Sequence, residues 1–255
     1  MPLEIVTVPC LADNYAFLLH DATSGATAVV DAPDPAPILD ALAARGWQLT
    51  DILITHHHWD HIDGVPALEQ ATGAKTWGNA ADAGRLPPLD HALAPGDTVT
   101  IGGETGTVIE VSGHTVGHIA FHFPDSKAVF TADSLMALGC GRLFEGTPDM
   151  MHASLSRLAA LPPETLVCSG HEYTASNAKF ALTIDPDNPA LISRSEAIDA
   201  ARAEGRPTVP STLQEELDTN PFLRAHDPAI RARLDMDTAD DVAVFAEIRA
   251  RKDRF

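Results

Sequence analysis

Residues 55–61 read Thr55-His56-His57-His58-Trp59-Asp60-His61, which places four metal-binding side chains, His56, His58, Asp60 and His61, within six residues. The run before them, Asp51-Ile52-Leu53-Ile54-Thr55, is short, apolar, rich in β-branched residues and bounded by polar ones, so it reads as a buried strand. The histidines begin where that strand should end. Loops anchored on strand ends are where rigid scaffolds hold functional groups. With 12 histidines in the chain a cluster could arise by chance, but chance does not tie a cluster to a strand end.

The pattern recurs three times. Thr107-Val-Ile-Glu-Val111 leads through Ser112-Gly113 to His114, Ala128-Val-Phe-Thr-Ala132 leads directly to Asp133, and Thr165-Leu-Val-Cys168 leads through Ser169-Gly170 to His171. Four strand ends that each deliver an imidazole or a carboxylate are expected to lie side by side and converge on a metal site. A catalytic zinc takes about three protein ligands plus water, so seven ligands imply two ions. Five imidazoles (His56, His58, His61, His114, His171) and two carboxylates (Asp60, Asp133) divide into two three-ligand sets and one shared carboxylate. Paired ions of this type stand about 3.5–4 Å apart and hold a water whose pKa falls to about 7.

Thr55-His56-x-His58-x-Asp60-His61, Gly113-His114, Asp133 and Gly170-His171 together resemble the metallo-β-lactamase superfamily, in order and spacing, over residues 3–172. The resemblance implies a mixed α/β (α+β) fold, a four-layered αββα sandwich with the site along one edge of its two sheets. It also implies that His56, His58 and His114 hold the first ion, Asp60, His61 and His171 the second, with Asp133 bridging. That superfamily carries many chemistries, so fold alone names no substrate.

Finer motifs narrow it. Leu11-Ala-Asp-Asn-Tyr15, Ser112-Gly-His-Thr-x-Gly-His118, Gly139-Cys-Gly-Arg-Leu-Phe-Glu-Gly146, Gly170-His-Glu-Tyr-Thr174, Asn220-Pro-Phe222 and Arg249-Ala-Arg-Lys-Asp-Arg-Phe255 resemble the glyoxalase II (hydroxyacylglutathione hydrolase) family nearly end to end. By that resemblance Arg142, Tyr173, Arg249 and Lys252 contact glutathione. Phe144 stands where the family pattern has a tyrosine, and the lost hydroxyl bond should cost about 0.5–1.5 kcal/mol of substrate binding. The implied reaction is hydrolysis of S-(2-hydroxyacyl)glutathione thioesters, chiefly S-D-lactoylglutathione, to D-lactate and glutathione, the second step of methylglyoxal detoxification. A hydroxide bridging two divalent ions would attack the thioester carbonyl, with Asp60 and Asp133 as the catalytic carboxylates. Zinc is the expected ion, and imidazole-carboxylate shells also accept iron or manganese. Two rivals differ in class: a persulfide dioxygenase with a single iron, which would leave Asp60 or His61 unused, and a non-enzymatic metal-binding protein.

Other motifs fail. His171-Glu172 would open a zincin helix, but position 175 is alanine, and Gly139-Cys-Gly141 has Phe144 where a dinucleotide loop needs its third glycine. No Gly-x-Ser-x-Gly elbow occurs, which excludes that serine-hydrolase class. His57 is expected to face away from the metals. His20, His91, His122, His152 and His226 default to structural or solvated roles, and His118 has the best case for supporting a ligand.

A net charge of −19 argues against a nucleic-acid partner. It also opposes an anionic glutathione thioester, so local positive charge is required, and Arg249, Arg251, Lys252 and Arg254 crowd the last seven residues. Such a tail would also suit a helix C-terminus; Arg251 and Arg254 are expected to be solvated charges. Cys10, Cys140 and Cys168 lack Cys-x-x-Cys spacing and form no disulfide framework; Cys140, beside the proposed substrate loop, is the one worth testing for reactivity. The 255 residues, 45% hydrophobic, suit a full-sized core. Met1-Pro-Leu-Glu-Ile-Val-Thr-Val8 lacks a secretory signal's basic start and long apolar centre, and no membrane span is visible, so a cytoplasmic monomer without a membrane partner is expected.

Strand signals give way to helical ones near residue 172, which predicts a catalytic domain over 1–172 and a small helical substrate-binding domain over 173–255. Ser211-Thr-Leu-Gln214 and Thr238-Ala-Asp-Asp241 read as capping boxes. Val242, Phe245 and Ile248 fall at helical spacing and are expected to be core.

Overall fold

A computed structural model describes residues 2–255. The chain falls into two units, one ending at Glu110 and taking in Gly117–Ala132, the other made of Val111–Val116 and Asp133–Phe255.

In the first unit β1 (Glu4–Cys10) and β2 (Asn14–His20) form an antiparallel hairpin in which Glu4 faces His20 and Cys10 faces Asn14. β3 (Thr27–Val30) joins β2 antiparallel. β4 (Asp51–Leu53), β5 (Lys75–Asn79) and β6 (His91–Leu93) then follow in parallel register. Parallel neighbours need crossovers, supplied between β3 and β4 by α1 (Pro35–Arg45) and between β4 and β5 by α2 (Trp59–Ile62) and α3 (Val65–Thr72). The bounds of α1 are written locally: the Asp34 carboxylate accepts from Ala36 N–H at 3.0 Å, Pro35 sits in the first turn, and Gly46 closes the helix at φ 68°. Leu18, Val29, Ile38, Leu42, Ile52 and Ile54 build the core between helices and sheet.

The expected strand Asp51–Thr55 shortens to β4, but Ile54 and Thr55 stay tied to the scaffold: Ile54 N–H donates to Trp77 O at 2.8 Å, and Thr55 O accepts from Ile119 N–H at 3.0 Å. β7 (Thr98–Ile101), β8 (Glu104–Glu110), β9 (Ile119–Phe123) and β10 (Ala128–Ala132) form an antiparallel meander in the same unit. In β8 the burial alternates from Glu104 to Val108, the signature of a sheet with one covered face.

The second unit contains the hairpin of β11 (Leu135–Met136) and β12 (Gly139–Cys140), and the antiparallel pair of β13 (Leu166–Ser169) and β14 (Ser211–Thr212). Its helices are α4 (Pro148–Ala159), α5 (Thr174–Ile184), α6 (Pro189–Ala203), α7 (Leu213–Thr219), α8 (Pro228–Arg233) and α9 (Asp241–Arg254). Past residue 173 the regular structure among the described residues is helical but for the two residues of β14. Leu138, Ala178, Ala181, Leu191 and Ile198 form a core cluster.

Two helix starts differ from the expectation. The reciprocal capping box of α7 uses Thr212 and Glu215, one residue later than Ser211 and Gln214, because the Ser211 hydroxyl goes to Glu216 instead. Helix α9 is capped by Asp240, whose carboxylate accepts from Ala243 N–H at 2.8 Å, rather than by Thr238. That shift buries Val244 with Phe245 and Ile248, and leaves Val242 half-buried. Among the described residues no helix is long and apolar enough to cross a membrane.

Ile52 is fully buried in the first unit's core, so Ile52→Ala is expected to cost about 2–5 kcal/mol in urea unfolding; a loss well below that range would contradict this packing.

Candidate metal centre

In the first unit the ligands are organised by a residue the sequence reading passed over. Asp31 follows the last residue of β3, adopts a left-handed φ of 57° and is buried. Its carboxylate accepts from Thr55 N–H at 2.9 Å, from the Thr55 hydroxyl at 2.8 Å and from His61 Nδ1 at 2.7 Å. A carboxylate only accepts, so His61 carries its proton on Nδ1 and presents a bare Nε2. The Thr55 hydroxyl already donates its hydrogen bond to Asp31, so it accepts from His56 Nδ1, 3.0 Å away, and fixes the same tautomer there. One buried carboxylate thus sets two imidazoles for metal binding, the arrangement in which an outer group orients the ligating ring. The ligand atoms of Asp31, His56 and His61 lie within 4.8 Å of one another, and the His58 ring stands 4.8 Å from that of His56. Asp60 is held by Asn14, whose Nδ2 donates to its carboxylate at 3.1 Å and its carbonyl at 3.0 Å. Gly64 is required because a Cβ there would stand 2.7 Å from Ala32 O, which accepts its N–H.

His57 points elsewhere, as expected: Nδ1 lies 3.3 Å from the buried Asp82 carboxylate and Nε2 3.3 Å from Arg85. His118 is buried with its ring 4.6 Å from that of His56.

In the second unit Asp133 lies between two imidazoles, with His114 Nε2 at 3.4 Å from one carboxylate oxygen and His171 Nε2 at 3.3 Å from the other. His114 Nδ1 donates to Arg142 O at 2.7 Å, so its Nε2 is again the bare nitrogen. Tyr173 stacks on His171 with centroids 4.7 Å apart, and Phe144 packs edgewise on His114 at 5.3 Å. The exposed Phe144 and Tyr173 therefore flank two candidate ligands directly.

The expected cationic contacts lie in this unit too. Arg142 is exposed, with Nε 3.5 Å from Asp253. Arg249 is buried, donating to Cys140 O at 2.8 Å and to Asp253 at 2.9 Å. Asp253, unremarked in the sequence reading, thus pairs with both arginines. Lys252 Nζ lies 3.4 Å from Ser176 O and 5.2 Å from the Phe180 and Phe255 centroids; burial, helped by Arg249, lowers its pKa to about 8. Arg251 pairs with Glu247 one turn back at 2.8 Å. The thiols are inert by environment. Burial pushes Cys10 and Cys140 up to about 11 and Cys168 higher still, so Cys140 has no thiolate to offer at neutral pH.

These residues fit a divalent ion. The tautomers of His56, His61 and His114 are set for Nε2 ligation, carboxylates face Nε2 of His61, His114 and His171, and an imidazole-carboxylate set suits zinc, iron or manganese. The pattern of the Metallo-beta-lactamase superfamily matches residues 14–171, and that of the Hydroxyacylglutathione hydrolase C-terminus matches residues 172–255. Fold and site together define a metal-dependent hydrolase of the metallo-beta-lactamase class. A hydroxyacylglutathione hydrolase of Jannaschia sp. strain CCS1 is 73% identical over 99% of this chain and 98% of its own. Another, from a Cereibacter sphaeroides strain, is 67% identical over the whole of both. Among solved structures, TTHA1623 in a di-iron-bound form superposes with a TM-score of 0.63 at 26% identity, covering 86% of this chain and 100% of that one. The chain belongs to the hydroxyacylglutathione hydrolase family.

Asp31→Asn keeps the side chain's shape but offers an N–H where an acceptor is needed. It is expected to weaken zinc retention about 10–100-fold against a competing chelator, with circular dichroism unchanged; wild-type retention would remove Asp31 from this role.

Proposed function

We propose that this chain hydrolyses S-(2-hydroxyacyl)glutathione thioesters, S-D-lactoylglutathione chief among them, to a 2-hydroxy acid and glutathione, as the second step of methylglyoxal detoxification in the cytoplasm. The observation that carries this reading is identity to hydroxyacylglutathione hydrolases along the full chain, helical C-terminal segment included. The persulfide dioxygenase is not favoured by these relatives.

His56, His58 and His114 would hold one ion, Asp60, His61 and His171 a second, and Asp133 both. Zinc suits this set, and the di-iron form of a structural relative supports room for a pair. Bound divalent ions supply Lewis acidity toward the thioester oxygen and water of lowered pKa, about 7.

The protein's own groups do the rest. Asp31 and Thr55 hold His56 and His61 in the ligating tautomer. Asp60, steadied by Asn14, accepts a proton as water adds to the thioester carbon. The C–S bond then breaks and the glutathione thiolate, a stable anion, leaves without a dedicated acid. Tyr173 and Phe144 wall the approach to His171 and His114, and Phe144 forgoes the hydroxyl contact of the family pattern. Arg142, Arg249 and Lys252 supply the positive charge that an anionic substrate needs on a chain of net charge −19. Residues 1–172 act as the catalytic domain and 173–255 as the substrate-binding one, in a monomer.

The test is release of thiol from S-D-lactoylglutathione by the zinc-loaded protein, with oxygen uptake on glutathione persulfide recorded in parallel. Turnover that disappears in His58→Ala, without oxygen uptake, is expected; a fully loaded protein that leaves the thioester intact contradicts the reading. A pH profile tests Lys252. Its ammonium is lost as pH rises through about 8, so KM should climb above that pH, whereas Lys252→Arg, charged throughout, should hold KM level; parallel profiles would take Lys252 out of the binding site.

A further inference from the structure

We propose that Glu216 is a positioning residue for the metal centre: it anchors the turn of the β11–β12 hairpin, whose two legs carry Asp133 and Arg142. This rests on the reading of Asp133 as a shared ligand. Asp133 enters one leg of the hairpin and Arg142 leaves the other. The base is closed by Gly141 N–H, which donates to Ser134 O at 3.1 Å. A Cβ on Gly141 would stand 1.9 Å from the Asp133 carbonyl oxygen, so the two legs touch through backbone. A shift of the hairpin therefore moves Asp133, and moves the Arg142 carbonyl that holds His114 Nδ1.

The tip is fastened with equal care. Leu138 takes a left-handed φ of 55°, a conformation that a leucine keeps only when its surroundings impose it. Its N–H donates to Glu216 Oε2 at 2.8 Å. Asn220 Nδ2 donates to Met136 O at 3.1 Å, to Gly139 O at 3.0 Å and to the same Glu216 oxygen at 3.0 Å. Asn177 Nδ2 takes Ala137 O at 3.0 Å. The other Glu216 oxygen accepts from Ser211 Oγ at 2.6 Å and pairs with Arg194.

Glu216 is wholly buried, and a buried charge is held only by partners that satisfy it. Arg194 is itself tied down, donating to Thr219 Oγ1 at 2.7 Å and Glu215 O at 3.1 Å. The hairpin tip is thereby bolted to α7 through a charge that has nowhere else to go. What this network fixes is the place of the hairpin that flanks Asp133.

The experiment compares zinc retention against a chromophoric chelator in wild type, Glu216→Gln, Asn220→Ala and a control, Asp185→Asn. Asp185 is also a buried carboxylate, bonded to Asn188 at 2.9 Å and Arg224 at 3.3 Å, and makes no bond to the hairpin. Glu216→Gln is expected to lose zinc about 10-fold more readily, with kcat reduced below the Tm, while Asp185→Asn lowers Tm yet keeps wild-type retention. Wild-type retention by folded Glu216→Gln overturns the proposal, as does equal loss in the control. Should Glu216→Gln fail to fold, Asn220→Ala, which keeps the Glu216–Arg194 pair, is judged by the same criterion. A wild-type protein that holds no zinc or leaves the thioester intact overturns the functional reading itself, before any variant is compared.

Discussion

A single buried carboxylate governs the first half of the metal centre. Asp31 sits almost out of reach of water and must have its charge met by donors. Thr55 and His61 meet it, and in doing so Thr55 turns its remaining lone pair to His56. Desolvation therefore does the work of tautomer selection. The histidines could not serve as ligands in a fixed sense on a loop free to rotate them; the strand end at Val30 puts Asp31 where that rotation stops. The left-handed φ of Asp31 is the local cost of turning the carboxylate inward.

Much of this was legible in the chain. The rule that a strand delivers a candidate ligand just past its end singled out His56, His114, Asp133 and His171, and β4, β8, β10 and β13 do run up to them. The same rule would have found Asp31, since Thr27-Ala-Val-Val30 precedes it as Ala128–Ala132 precedes Asp133; it was overlooked because one carboxylate in an Asp- and Pro-rich stretch looks like turn chemistry. Asn14 and Asp253 fall inside the Leu11–Tyr15 and Arg249–Phe255 motifs, but nothing local marked their roles. Their meaning comes from pairings of 46 residues in one case and a shared contact with Arg142 and Arg249 in the other, and long-range partners have no local signature. Helix starts slipped by one or two residues, as at Ser211 and Thr212, where the buried Glu216 carboxylate takes the first hydroxyl and leaves the second to cap.

The electrostatics divide by scale. The chain as a whole is acidic, yet in the second unit Arg142 and Arg249 are gathered about one acidic residue, Asp253, and Lys252 sits beside it in the chain. Fields from distant charges are screened within about 10 Å at moderate salt, so the nearby cations decide what approaches the site. Burial makes Arg249 a fixed charge with its fork committed to Cys140 O and Asp253, and leaves Lys252 close to losing its proton. The three cations are thus unequal: one exposed, one locked, one titratable near neutral pH.

Seven side chains drawn from four strand ends are proposed to hold a pair of ions. Metal content per chain, measured by plasma mass spectrometry on protein reconstituted with zinc and freed of excess, tests it most directly. Two equivalents are predicted for the wild type and fewer than two for Asp133→Ala, which removes the shared carboxylate; one equivalent in a fully loaded wild type would contradict the account.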